Sequence, residues 1–384
     1  MNTSRLLVLL LTLGSCFSTS AADINVSGYL KSYVLALDEI DTPFLKTDNS
    51  YQSQNAMRLM VDVFAERLAF QVHYEVAPVW LSSATLPAST FAAVRNSWRL
   101  SDIKNPLTES DRQITYQNLD RFNVQLQLDA GDLTIGRQPI TFGSARMINP
   151  SDVFLPFDVR TLNTEYRHGV DAVRFQKPLG MLGEFDVGVI LGDDVSADDS
   201  AAFVQVKTHV ASSDLRFAVM EYARQRLLAV GLESALGDFG FWFEAADVSG
   251  DQNYWRLSTG LDYAPTETTF VMVEYHFNDA GGDDLASYVS NAQQPAYNIG
   301  GVFLLGRQYL LASFSWTATP LLGLSASSTY NLSDDSAFLS LSGSYNIRED
   351  VYLGAGIYLF EGKSLATEYG DSPATAYLSL RYYF

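Results

Sequence analysis

Charged and amide side chains recur at every second position along much of this 384-residue chain. Between 121 and 129, Arg121, Asn123, Gln125, Gln127 and Asp129 alternate with Phe122, Val124, Leu126 and Leu128. The same polar parity elsewhere holds the bases Arg58, Arg174, Lys207, Arg216, Arg256 and Arg381. It also holds His73 and the acids Asp62, Glu75, Glu184, Asp186, Glu233, Glu244, Asp262 and Glu274. Groups of both signs, repeated segment after segment, are suited to lining water and steering ions or polar solutes. The alternative for each is a partner across the wall, which would only hold shape.

Covalent chemistry finds less support. The four histidines, His73, His168, His209 and His276, lie in no G-x-S-x-G elbow and no H-E-x-x-H helix. His276-Phe277-Asn278 could supply a His/Asn pair to a hydrolase at a rim, the plainer reading being a histidine in an aromatic belt. Asp247 to Asn253 could cradle calcium, but the run reads first as a polar hairpin turn. No phosphate-binding glycine loop is visible. The sequence therefore predicts no enzyme, no metal site and no cofactor.

The elements that position these side chains are strands. Met57, Leu59, Val61 and Val63 alternate with Arg58 and Asp62, and Val271, Val273, Tyr275 and Phe277 with Met272, Glu274 and His276. Period 2 is the spacing of a strand, whose successive side chains point to opposite faces. Even the uncharged segment 308–333 alternates and contains Pro320 and Gly323, so two strands explain it better than a membrane helix. Around Leu133, Ile135 and Arg137 the alternation fails, and a bulge is expected to turn Arg137 inward. Connections are expected to alternate between short ones (65–67, 130–132, 211–213, 237–238, 264–267, 319–320, 347–350) and long ones (38–53, 78–118, 141–168, 278–307, 361–375). Segment 297–307 fits no strand count and is expected to be loop or strand extension. Apolar-parity aromatics cluster at strand ends, Phe239, Tyr263, Trp316 and Tyr345 beside short turns and Trp255, Tyr275, Phe277 and Tyr330 at the opposite ends. Two such belts are what the two faces of a bilayer demand. The fold class expected is all-β: one closed antiparallel transmembrane β-barrel of about 18 strands, with 16 as the alternative.

The ends agree with an exported barrel. Arg5 precedes L-L-V-L-L-L-T-L-G and a small polar run to Ala22, a secretory signal with its cut after residue 22. A lipobox at Leu13-Gly14-Ser15-Cys16 is the competing reading, with Cys16 lipidated. The favoured cut leaves a barrel domain 23–384 without cysteine. A formal charge of −19 argues against nucleic acid and against a polybasic membrane patch. The chain closes on A-Y-L-S-L-R-Y-Y-F, with Ala376, Leu378, Leu380, Tyr382 and Phe384 on one parity.

This last strand resembles the closing strand of Gram-negative outer-membrane β-barrels. The stretch 136–174, with its G-R-Q strand end, N-P-S-D segment and returning G-V-D-A-V-R strand, resembles porin-like barrels such as alginate-export-type and related porins. The resemblance implies a Gram-negative outer-membrane location and outer-membrane lipid around the barrel. It implies the barrel-assembly machinery as a partner through Phe384, and an oligomer, often a trimer. By the same analogy, 141–168 folds into the lumen and narrows it. That would place Arg137, Arg146, Asp152, Asp158, Arg160 and Arg167 at a constriction. Loop 78–118, with Trp80, Arg95, Trp98 and Arg99, is the second candidate plug. The function expected is passive diffusion of small hydrophilic solutes, against a plugged structural barrel or a rim hydrolase.

Overall fold

The computed structural model describes residues 22–42, 46–83, 98–101, 103, 106–154, 162–163 and 165–384. The expected signal segment and Cys16 lie outside them, as do Arg95, Asp158 and Arg160. Eighteen strands form the wall. They are β1 (Asp23–Leu37), β2 (Ser50–Ala65), β3 (Leu68–Leu81), β4 (Gln113–Leu128), β5 (Gly131–Gln138) and β6 (Val170–Leu179). Next come β7 (Gly183–Ile190), β8 (Ala201–Val210), β9 (Ser213–Tyr222), β10 (Gln225–Leu236), β11 (Phe239–Gly250) and β12 (Tyr254–Thr266). The ring is completed by β13 (Thr269–Asn278), β14 (Gln308–Thr319), β15 (Leu322–Asn331), β16 (Ser336–Arg348), β17 (Val351–Glu361) and β18 (Thr375–Tyr383). Each pairs antiparallel with its sequence neighbour, and β1 pairs with β18 with Lys31 opposite Arg381. The sheet is closed, and the sixteen-strand alternative falls.

The last residue extends the closing seam. The amide of Gly28 donates to the carbonyl of Phe384 at 2.8 Å, and the amide of Phe384 donates back at 3.1 Å. A side chain at 28 would collide with the Phe384 ring, so the terminal aromatic requires glycine beneath it.

The parity of the sequence is the parity of the wall. Val34, Met57, Phe122, Val219, Val273, Phe314 and Leu378 form an exposed apolar face. A continuous apolar exterior around a closed sheet is stable only when lipid covers it, because closure leaves no unpaired backbone edge. Phe239 stacks on Tyr263 at 4.8 Å near the short turns, and Trp255 on Phe277 at 4.4 Å near the other rim.

Connections depart from the expected alternation. One end has only short turns, as expected. The other has long segments but also tight ones at 223–224, 251–253 and 332–335. Ala223 and Arg224 both have positive φ, 42° and 61°, which a two-residue hairpin needs to match strand twist. The 251–253 turn is the polar hairpin, with the side chain of Asn253 accepting from the amide of Gly250. Segment 297–307 is loop, as expected. Its first two residues end the second of two short helices the alternation did not suggest, α1 (Leu285–Asn291) and α2 (Pro295–Asn298). Asp284 and Ser287 form a capping box on α1.

Two irregularities re-aim side chains. The register slips between His73 and Tyr74 opposite Asp120, so that consecutive Asp120 and Arg121 are both buried. At β5 no register slip accompanies the broken alternation. Gly136, at φ 113°, absorbs it, and Ile135 stays exposed while Arg137 is buried.

Candidate functional site

The largest buried apolar cluster is inside the ring. Phe142, Val153 and Phe154 of the segment 139–169 pack against Phe203, Met220 and Leu227 of the wall, joined by Trp98. Trp98 meets Phe154 edge-on at 5.0 Å, and Arg99 Nε donates to the carbonyl of Gly169 at 2.9 Å. Trp98 and Arg99 thus support the loop in the bore, while Trp80 is exposed on its strand.

Two wall carboxylates hold the 139–154 part of this loop. Glu244 on β11 accepts from the amides of Ser144 (2.5 Å), Ala145 (2.9 Å) and Ser151 (2.9 Å), and from the Ser151 hydroxyl (2.7 Å). Glu274 on β13 accepts from the amides of Arg146 (3.1 Å), Met147 (3.1 Å) and Ile148 (2.8 Å), and from the Trp242 indole (2.8 Å). Both carboxylates are almost wholly buried. Between them, Arg256 donates to the carbonyl of Pro150 and Ser258 to that of Ile148. An irregular loop carries unpaired amides, and a buried carboxylate needs donors, so each satisfies the other.

From there the loop crosses to β1 and β18. Lys31 donates to Asn163 at 2.9 Å and pairs with Glu165, which also accepts from Tyr383 at 3.0 Å. The return is fixed by Arg167, whose guanidinium donates to Asp152 at 2.5 Å and whose carbonyl accepts from Arg121. Among the described residues of 141–168, 142–154, 163, 165 and 167 make these contacts inside the ring. Arg146 is left partly exposed beside the gap, facing Glu233 at 3.1 Å and Asp262 at 3.7 Å.

Several sequence-predicted pore residues need correction. Glu244, Glu274 and Arg256 face inward but touch loop backbone, and water does not reach them. Arg58 is buried against Asp120, with Glu75 at 3.9 Å, and Arg121 shares Asp120 at 2.8 Å. Glu75 accepts from Tyr29, and Asp62 faces His73 at 3.0 Å. Asp129 is not in the lumen. It lies in the turn after β4, highly exposed and 2.9 Å from Arg67, because its strand ends one residue earlier. Arg137 is held by Asp171 at 2.8 Å and by the carbonyls of Leu119 and Ser101, so it ties loop to wall. Arg174 pairs bidentately with Asp186. Lys207 with Glu184 at 3.4 Å, Arg216 and Arg381 keep partial exposure.

His276 is no belt residue. It is buried, with Nδ1 2.8 Å from the Ser258 hydroxyl. That hydroxyl's single proton goes to the Ile148 carbonyl at 2.6 Å, so His276 must donate to it. A serine fixed as donor to a carbonyl and acceptor from histidine is not an activated nucleophile.

Among solved structures, OpdQ of Pseudomonas aeruginosa aligns with a TM-score of 0.60 at 11% identity, over 94% of this chain and 98% of that one. A BenF-like porin from Pseudomonas fluorescens Pf-5 gives 0.60 at 10%, over 94% and 98%. OccAB4 of Acinetobacter baumannii gives 0.58 at 10%, over 95% and 99%. The chain has a porin fold. No protein-family model matches the sequence, and no curated protein resembles it closely enough to count.

In this porin fold the sequence missed Asp120, Lys31, Tyr29, Asn163 and Glu165. By simple parity Asp120 shares the face of Phe122, and only the slipped register brings it inside. Lys31 carried a signal, since it alternates inward with Tyr29 and Tyr33 on β1.

At the loop end, Glu368 in the connection 362–374 accepts from the amide of Leu305 (2.9 Å), the Tyr309 hydroxyl (2.6 Å) and the Asn331 amide (2.9 Å). Burial pushes its carboxyl up to about 7, with nearby Asp334 adding to the rise. A carboxyl raised on folding stabilises fully below its unfolded value near 4.5, and the contribution fades as pH climbs through 7. Hydrogen exchange of the Leu305 amide, referenced to Glu368→Gln at each pH, is expected to accelerate between pH 5 and 8. A constant ratio would contradict this.

Proposed function

We propose that the chain is a Gram-negative outer-membrane channel for passive diffusion of small hydrophilic solutes, narrowed by the loop 139–169. The observation that carries this reading is the loop clamped into the bore by Glu244 and Glu274 while Ser315, Gly323 and Ser325 on the adjoining strands β14 and β15 keep water-accessible surface. An apolar exterior needs lipid, a hydrophilic bore needs water, and a loop between them sets the cross-section. The porin fold shared with the BenF-like porin supports it. An export signal before residue 23, and delivery through the barrel-assembly machinery by way of Phe384, belong to the same proposal. So does a lumen whose partly exposed charges, Lys207, Glu184, Arg216, Arg381 and Arg146, meet the solute.

The test is single-channel conductance of the refolded protein in a planar bilayer. Stepwise ion-conducting events are expected, and deleting 141–168 is expected to enlarge each step. A barrel that inserts and stays silent removes the channel, and an unchanged step removes the constriction.

A further inference from the structure

The wall is divided into two arcs of different chemistry. From β1 to β13, charged side chains face inward on successive strands and the clamped loop covers many of them. On the five adjacent strands β14–β18, among the described residues, Arg381 is the one inward charge away from strand ends. Apart from Leu311, Asn331 and Asn346, the rest of that arc's inward parity is hydroxyl, glycine and aromatic. Its rungs run Ser315, Ser325, Ser342, Gly356, Tyr377 and, one step away, Gly323, Ser344, Gly354, Ser379, Tyr33.

Aromatic rings follow one another along this arc and onto the adjoining β1. At the loop end Phe360 lies 5.1 Å from Phe338, which meets Tyr358 at 5.4 Å. Tyr358 meets Tyr377 at 5.6 Å, and Tyr377 meets Tyr33 at 6.4 Å. Toward the turn end Tyr383 lies 5.8 Å from Tyr352 and 6.2 Å from Tyr29, but there Lys31 and Arg381 lie over the rings, so the neutral stretch is the one from Phe360 to Tyr377. Phe360, Tyr358, Tyr377, Tyr352 and Tyr383 each keep partial exposure, although all are at inward register.

Resting on the channel reading above, we propose that this arc is a carbohydrate track, along which a pyranose-containing solute slides. A pyranose ring has apolar C–H faces and a rim of hydroxyls. The aromatic rings offer matching apolar surface at intervals close to one sugar ring. The serine and tyrosine hydroxyls beside them donate and accept in turn, which fits a neutral polyol rim. Among the described residues no inward charge lies between the rungs of Phe360 and Tyr377, with Arg381 the first beyond them, so an anion there would lack an adjacent counter-charge. Wall glycines complete the fit. A side chain at 356 would strike the Tyr377 ring, so Gly356 leaves that ring lying flat across the neighbouring strand.

The experiment is current recording through single channels of the full barrel, with maltohexaose added and benzoate as the comparison. Maltohexaose is expected to interrupt the current reversibly, and benzoate is not. Tyr358→Ala and Tyr377→Ala are each expected to shorten the interruptions about fivefold, from roughly 1 kcal/mol for a lost aromatic contact. The lipid-facing Tyr345→Ala is expected to match the unsubstituted barrel. An uninterrupted current with maltohexaose, or interruption by benzoate alone, overturns the track while leaving the channel intact. Interruption times unmoved by both inward substitutions overturn it too. Absence of any ion current instead overturns the channel reading.

Discussion

Replacing both Glu244 and Glu274 by alanine is expected to release the loop from the wall and raise single-channel conductance severalfold. Together these carboxylates accept hydrogen bonds from six loop amides, the Ser151 hydroxyl and the Trp242 indole. Each buried donor left without an acceptor costs about 1–3 kcal/mol, so the attachment weakens by on the order of 5 kcal/mol or more. At 1.4 kcal/mol per tenfold, that is enough to change which loop position dominates. The barrel itself is expected to survive, since its closure by β1 and β18 touches neither residue. Glutamine at both positions keeps one acceptor oxygen each and is expected to give a smaller rise with noisier open current. Conductance equal to that of the unsubstituted protein in the alanine variant would show that the loop is held by its apolar packing alone.

Asp120→Ala is expected to give the largest loss of stability of any single polar substitution in the wall. The carboxylate is buried and serves Arg58, Arg121 at 2.8 Å and the amide of Gly169 at 2.8 Å. Removing one partner of a buried ion pair leaves uncompensated charge and typically costs about 3–5 kcal/mol. Here Arg121 is left with backbone carbonyls such as that of Arg167, and Arg58, stacked on Tyr166 at 4.3 Å, with the longer 3.9 Å contact to Glu75. Urea unfolding of the variant in lipid vesicles, compared with Asp129→Ala at an exposed turn, measures the difference. Equal midpoints for the two would contradict the assignment of Asp120 as the centre of this cluster.

Much of the wall is legible without coordinates. Alternation is a local property, set by the extended backbone itself, so Met57 to Val63 or Phe122 to Leu128 declare their two faces from sequence order alone. The terminal Phe384 and the belts of Phe239, Tyr263 and Trp255 are legible for the same reason. A missed signal lay in the loop-side halves of β8–β11, where both parities are apolar: Leu227 with Leu228, Val219 with Met220, Ala245 with Ala246. A strand apolar on both faces is covered on both faces. In a barrel, that means something fills the inside.

Parity, then, was determined by the sequence: a closed barrel with lipid on one face and polar groups on the other, while the choice of eighteen strands over sixteen came from the structure. Which polar groups meet water was decided only by tertiary structure. Glu244 and Glu184 occupy equivalent inward positions in their strands, yet the first is sealed under Ser144 and Ser151 while the second faces the bore. The difference comes from a loop a hundred residues away along the chain, and from the one-residue slip that turns Asp120 inward. Neither is encoded in the period of any strand, because both depend on where distant backbone amides find their acceptors.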